Sequence, residues 1–221
     1  MEIWAVVAAG GSGSRMNSSV KKQFLTLSDG VPILIHSLTV LESCPRISGI
    51  VLVCAPEDRK TCKDMILQAG LTKVSAYADA GKTRQQSVLN GLCALPESCD
   101  YAAIHDAARP FLAPEDLSHV LEDAAEYGAS CLAVPVKDTI KVADRDGYIE
   151  STPDRSLLWA MQTPQVFRRD WILEAHQAAA AASDHSCTDD AQVLEKYSAH
   201  RVHLCAGSYT NIKITTASDL Q

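Results

Sequence analysis

Apolar residues in this chain come in short runs, separated by longer segments in which they recur every three or four positions. The runs IWAVVAA, GIVLVCA, KVSAYA, YAAIHD, CLAVPV and RVHLCA read as strands. Most are apolar on both faces, as strands covered by helices above and below must be. Between them, residues 32–43, 57–69, 83–95 and 114–127 carry helical spacing. Pro114, followed by Glu115 and Asp116, suits a helix N-terminus: the missing proline N–H costs nothing there, and the acids meet the positive end of the helix dipole. Strand and helix alternating in this way predict an α/β fold with a doubly wound, mostly parallel sheet of Rossmann-like type.

The rhythm breaks after Val136. The segment KDTIKVADRDGYIESTPDRSLLWAMQTPQ alternates β-branched and polar residues around Asp146 and Gly147, a hairpin signal. It is expected to stand off the main sheet as an arm over about residues 137–161. Helical segments near 169–182 and 189–197 then lead back to the last strands. With no internal repeat and no disordered linker, residues 1–221 read as a single domain carrying that arm.

Composition narrows the class. The chain is 47% hydrophobic and 21% charged, ordinary values for a globular protein, and its net charge of −7 argues against a nucleic-acid surface while permitting a local cationic pocket. No run of about 18 apolar residues is present, so no membrane span is expected. The start, without a basic leader or cleavage site, points to the cytoplasm. Eight cysteines (44, 54, 62, 93, 99, 131, 187, 205) are scattered without C-x-x-C spacing, and several sit in apolar runs, so free buried thiols are expected.

Candidate chemistry begins at VVAAGGSGSR, residues 6–15. In an open parallel sheet, ligands bind beyond the carboxyl ends of the strands. Glycines there (Gly10, Gly11, Gly13) let backbone N–H groups approach an anion. The loop is not a Walker motif, which needs G-x-x-x-x-G-K-[ST]. A dinucleotide fingerprint from Gly11 fails at Met16, and a hydrolase elbow fails at Ser14. Arg15 and Lys22 follow seven residues apart, placed to stabilise charge developing on a phosphate.

Other candidates follow along the chain. Asp106 ends the run YAAIHD, where a carboxylate suits either Mg2+ with substrate phosphates or a simple turn cap. Arg109 lies three residues on, and His105 reads as a packed core residue without chemistry. Gly81, Thr83, Arg84 and Ser87 open a helix whose Val88, Leu89 and Leu92 face the core, and whose free N–H groups and hydroxyls could read a ribose or base. Arg155, Trp159 and Thr163 follow the hairpin. Thr188 in CTDDA reads as an N-cap, and Lys213 in NIKIT sits in a β-like run.

The motifs AAGGSGSRM…KKQF, GKTRQQSVLNGL, HDAARPF, PVKDTIK, DRSLLWAMQTPQVF, TDDA and NIKIT, in this order, resemble the 2-C-methyl-D-erythritol 4-phosphate cytidylyltransferases from Ile3 to Thr216. The resemblance implies CTP and methylerythritol phosphate as substrates and a divalent cation, Mg2+, on Asp106. It implies nucleotide contacts from Ala8, Ala9, Gly10, Gly11, Gly13, Gly81, Ser87 and Ala107. Arg15 and Lys22 would act at the transferred phosphate, and Arg155 and Lys213 would align the attacking one. Asp106, Arg109, Thr139, Thr163 and Thr188 would meet the sugar phosphate. It further implies a homodimer whose interlocking arms lend Arg155 to the partner's site. The implied reaction is cytidylyl transfer. Three alternatives stand beside it: a ribitol 5-phosphate cytidylyltransferase, a dinucleotide-dependent dehydrogenase, and a silent nucleotide-binding regulator.

Overall fold

The computed structural model describes residues 1–11 and 20–220. Among the described residues, six α-helices flank a seven-stranded sheet: β1 (Ile3–Ala8), α1 (Ile33–Ser43), β2 (Ile47–Cys54), α2 (Arg59–Gln68), β3 (Val74–Asp79), α3 (Arg84–Cys93), β4 (Tyr101–Asp106), α4 (Pro114–Tyr127), β5 (Ala129–Pro135), β6 (Val142–Ala143), β7 (Ile149–Ser151), β8 (Trp159–Arg168), α5 (Arg169–Ala181), α6 (Asp190–Tyr197) and β9 (His203–Ala206), with β6 and β7 outside the sheet. The strand order is β3-β2-β1-β4-β8-β5-β9. Every neighbouring pair is parallel except those of β8, which runs antiparallel to β4 and β5.

Alternation along each strand divides the core into two layers. Ile3, Ala5 and Val7 of β1, with Ile50 and Leu52 of β2, pack beneath Leu34, Leu38 and Leu41 of α1 and Leu117, Val120 and Leu121 of α4. Val6, Val51 and Val53 face the other way, against Val88 and Leu92 of α3 and Ile172 and Ala175 of α5. These side chains are essentially fully buried, each valine, leucine and isoleucine stabilising the fold by about 1.5–3 kcal/mol relative to exposure. At the end of α4, Gly128 takes φ +83° and its N–H returns to the Ala124 carbonyl, the left-handed stop that glycine adopts without strain.

The expected strands and helices all form, with ends shifted by a few residues at most. β8 was not anticipated as a sheet strand. Its first residues lie within the expected arm, yet Trp159 pairs with Pro135 and Met161 with Ala133. The excursion from the sheet therefore ends at Leu158, where the Val136 N–H bonds to the Leu158 carbonyl. Beyond that neck, β6 and β7 form the expected hairpin, turning through Asp144–Gly147. Ile140, Val142, Ile149 and Leu157 are exposed on it. Two local readings are corrected. The N-cap of α6 is Asp189, whose carboxylate accepts from the Gln192 N–H, while the Thr188 hydroxyl donates to the Gln192 side chain. Lys213 lies in coil, since Ile214 hydrogen-bonds to Ala108 rather than joining a strand. All eight cysteines are free thiols, as expected.

Candidate active site

The parallel strands β1 to β4 end at one edge, and single hydrogen bonds lace their following loops together. Ala9 N–H bonds to Val53 O at 2.8 Å, Ala80 to Cys54 at 2.9 Å and Ala107 to Ala8 at 3.1 Å. The loops thereby wall a cleft of about 560 Å³, the size of an ordinary small-molecule site. Ala8, Ala9, Gly10 and Gly11 form its floor beyond β1, Gly81, Thr83 and Ser87 one side, and Asp106 and Ala107 the other. Lys22, Lys82, Arg84 and Lys213 add four cations against the one carboxylate of Asp106. A chain of net charge −7 thus concentrates positive charge where a polyphosphate would sit.

Local chemistry holds each wall in place. The Thr83 side chain caps α3 by accepting from the Gln86 N–H. Ser87 donates to the Thr83 carbonyl and accepts from the Gly81 N–H at 2.9 Å, which fixes the turn before the helix. Gly10 faces this turn so closely that a Cβ there would collide with the Ala80 Cβ. Lys22 belongs to a short 3-10 turn (Lys22–Phe24), and its ammonium reaches the Ile214 carbonyl at 2.7 Å.

Asp106 is the electrostatic centre. Its Oδ1 accepts from Arg84 Nε at 3.2 Å and its Oδ2 from Lys213 Nζ at 2.6 Å. Burial by itself would raise this carboxyl, but Arg84 and Lys213 outweigh burial and hold it well below the usual carboxylate range. Beneath it, Thr163 Oγ1 accepts from the Asp106 N–H at 3.1 Å and lies 3.0 Å from His105 Nδ1. The threonine proton then goes to Nδ1, leaving the His105 Nε2–H to donate to the Arg109 carbonyl. Full burial pushes His105 down to about 4, so it is a neutral structural residue, as its place in a strand implied. One carboxylate among cations is not a protein cage for a metal, and among the described residues no cluster of three His, Cys, Asp or Glu could hold one. It does suit a cation shared with substrate phosphates.

Of the residues expected from sequence, Ala8, Ala9, Gly10, Gly11, Lys22, Gly81, Ser87, Asp106, Ala107 and Lys213 line this one cleft. Thr163 and Arg109 lie under it: Thr163 is buried, and Arg109 donates to the carbonyls of Asn211 and Met161. Thr139, Arg155 and Thr188 are exposed and line no part of the cleft in the single chain. Arg155 instead donates to the Lys137 carbonyl across the arm. Gly13 and Arg15 lie outside the described residues. The sequence reading took Arg84 as part of a helix start and missed its pairing with Asp106 and Asp190. The partners lie 22 and 106 residues away, and no local signal joins them.

Against known proteins, the chain matches the family model described as IspD, 2-C-methyl-D-erythritol 4-phosphate cytidylyltransferase, over residues 3–221. The 2-C-methyl-D-erythritol 4-phosphate cytidylyltransferase of Desulforamulus reducens is 47% identical over 219 residues, which cover 99% of this chain and 92% of that protein. The protein of the same name from Pelotomaculum thermopropionicum is 44% identical, with 99% and 91% covered. Among solved structures, the 4-diphosphocytidyl-2C-methyl-D-erythritol synthase of Anaerococcus prevotii is similar, with a TM-score of 0.87 at 30% identity, 99% of this chain and 92% of that one covered. Matched by the family model over nearly its whole length, and similar in sequence and overall structure to these proteins, the chain belongs to the 2-C-methyl-D-erythritol 4-phosphate cytidylyltransferase family.

Proposed function

We propose that this protein transfers CMP from CTP to 2-C-methyl-D-erythritol 4-phosphate, releasing pyrophosphate and forming 4-diphosphocytidyl-2-C-methyl-D-erythritol. The observation that carries this reading is the cleft itself, in which a glycine-lined strand end faces Lys22, Lys213 and the Asp106 carboxylate. A phosphate oxygen of the sugar attacks the α-phosphorus of CTP, the new P–O bond forms as the bond to pyrophosphate breaks, and the leaving group departs with its charge. The nucleophile is already anionic near neutral pH and needs no general base, which agrees with a site whose one nearby histidine is buried and neutral.

In this reading the backbone of Ala8, Ala9, Gly10, Gly11 and Gly13, with Gly81, Ser87 and Ala107, receives the nucleotide. Arg15 and Lys22 neutralise the crowded phosphorus. Asp106 would hold the Mg2+ that accompanies the nucleotide, and the ion would supply charge neutralisation for the leaving pyrophosphate. Lys213 lies 2.6 Å from Asp106 and is placed to hold the incoming phosphate once that carboxylate is engaged. Arg109 and Thr163 act from below, by fixing the ends of β4 and β8 around the site.

The second half of the sugar-phosphate site comes from a partner subunit. Thr139 and Arg155 lie on the exposed arm, whose Ile140, Val142, Ile149 and Leu157 stay exposed to solvent in one chain. A homodimer with interlocking arms buries them and brings Arg155 to the neighbouring cleft, and Thr188 meets the same substrate from the α6 side. Among the described residues, no helix is long and apolar enough to cross a membrane, in keeping with a cytoplasmic enzyme acting on small phosphates. Pyrophosphate release measured with each of the four nucleoside triphosphates and with methylerythritol phosphate or ribitol 5-phosphate tests the assignment. CTP with methylerythritol phosphate should be fastest, and faster release with ribitol 5-phosphate would move the assignment to the polyol-phosphate alternative.

A further inference from the structure

The Arg84 guanidinium does more than neutralise Asp106. Its Nε faces Asp106 Oδ1, while its Nη2 donates to Asp190 Oδ2 at 2.8 Å. Asp190 is fully buried at the start of α6. Its other oxygen lies 3.2 Å from Nε2 of the equally buried His176, and its N–H donates to Gln165 at 3.1 Å. A chain of contacts thus runs from the core outward: His176, Asp190, Arg84, Asp106. Such an arrangement is poor value as a stabilising device, since a buried ion pair rarely outperforms apolar residues of the same volume. It is well suited to holding a guanidinium in one orientation, because the fork is gripped at both ends.

Lys213, the other cation on Asp106, is held differently. It is about a third exposed (36%), and among the described residues its ammonium bonds only to Asp106 Oδ2. One oxygen of Asp106 is therefore locked to an anchored arginine, while the other is covered by a lysine on a flexible stem. We propose that Asp190, acting through Arg84, is a positioning residue that fixes Asp106 by Oδ1 and so presents Oδ2 to the divalent cation accompanying CTP. This rests on the reading of Asp106 as the cation ligand given above. Residues that orient a metal-binding group typically change metal affinity by about 10- to 100-fold when removed.

The experiment uses the full-length protein and the variants Asp190→Asn, Arg84→Lys and the two combined. Asparagine keeps the shape and loses the charge, whereas lysine is too short and too simple to grip both carboxylates. Three quantities are read: the melting temperature, the affinity for CTP titrated without Mg2+, and the Mg2+ concentration that half-saturates CTP binding and pyrophosphate release. Asp190→Asn should melt within a few degrees of the parent and bind metal-free CTP as the parent does, yet need about tenfold more Mg2+. Arg84→Lys should raise the Mg2+ requirement by a similar factor beyond any change in its metal-free CTP affinity, which is measured separately because Arg84 also lines the cleft, and the double variant should need no more Mg2+ than the more impaired single one. A folded Asp190→Asn with unchanged Mg2+ dependence, or two defects that multiply, overturns the proposal. If Asp190→Asn does not fold, Arg84→Lys decides by the same measure. Absence of Mg2+-stimulated turnover in the parent would instead remove the reading of the site on which this rests.

Discussion

Gly10→Ala offers a demanding test of how the cleft is built. The β1 loop passes the turn after β3 so closely that an alanine Cβ would lie well inside van der Waals contact with Ala80 Cβ, a short branch on a backbone that cannot swing aside. Carbon atoms settle at about 3.5–4.0 Å, so one wall must retreat by more than about 1 Å. Overpacking of this kind costs about 2 kcal/mol. In a domain of this size that lowers the melting temperature by roughly 4–8 °C. The catalytic loss should be larger, because a displacement of about 1 Å in reacting geometry is worth on the order of 100-fold in rate. The remedy is written in the same contact. With Ala80→Gly added, the next atom in the way is the Ala80 Cα at 3.5 Å, an ordinary contact. Thermal melts and steady-state kinetics with CTP should show Gly10→Ala impaired in both and Gly10→Ala with Ala80→Gly largely restored. Parental kinetics in the single variant, or no recovery in the double one, would refute the account of the wall.

Lys22→Ala should lower turnover by about 10²–10³-fold while changing the CTP dissociation constant much less, as steady-state kinetics and a binding titration would show; near-parental turnover would place Lys22 outside the reacting site. Mixing inactive Lys22→Ala with inactive Arg155→Ala under conditions of subunit exchange should restore activity, since one site of each heterodimer then gathers both intact residues. Exchange verified by mass without recovered activity would mean that Arg155 serves its own chain. His105 titrates near 6.5 when unfolded but is pushed down to about 4 by burial, so the unfolded chain binds more protons between those values and stability falls as the pH drops through that window. From pH 7 to pH 5 this one group should cost about 2 kcal/mol. Urea denaturation at both pH values should show a smaller acid loss for His105→Gln than for the parent; equal losses would contradict the assignment.

What the sequence reveals and conceals has a physical pattern. Strands β1, β2, β4 and β5 are legible because both faces are buried against apolar neighbours, leaving nearly unbroken apolar runs. β8 is just as buried but carries Gln162, Thr163 and Gln165, whose polar atoms are satisfied by Ser208, by His105 and Asp106, and by Asp189 and the start of α6. Those partners come from distant segments, so local pattern leaves the strand unread and counts only its first residues in the arm. The N-cap of α6 slips by one because Thr188 and Asp189 are both good caps, and the Gln192 side chain, by taking Thr188, leaves the N–H of residue 192 to Asp189. Lys213 reads as a strand residue because Ile212 and Ile214 alternate around it, yet the Ile214 N–H bonds to Ala108 in the loop after β4 and the Ile212 N–H turns back to Thr210. The glycine loop, Lys22 and Asp106 could be found from sequence because strand ends announce themselves. The tether from Arg84 to Asp190 could not, because a charge pair across the fold leaves no periodicity.

The narrow neck between Val136 and Leu158 makes the arm a detachable part. β5 and β8 are antiparallel neighbours in the sheet, and a pair of that kind can be joined by a turn of a few residues. The segment between them leaves the sheet at one backbone rung, with the Lys137 ammonium over the Tyr209 ring beside it, so its length and sequence beyond that neck can change without disturbing the layers on either side. On the reading proposed above, an arm shortened to a tight turn would leave a solitary body that still walls the nucleotide cleft, and a reshaped arm would change how one subunit reaches another. Recognition of the second substrate would then ride on a module that evolution, or an engineer, can rewrite while the sheet beneath it stays as it is.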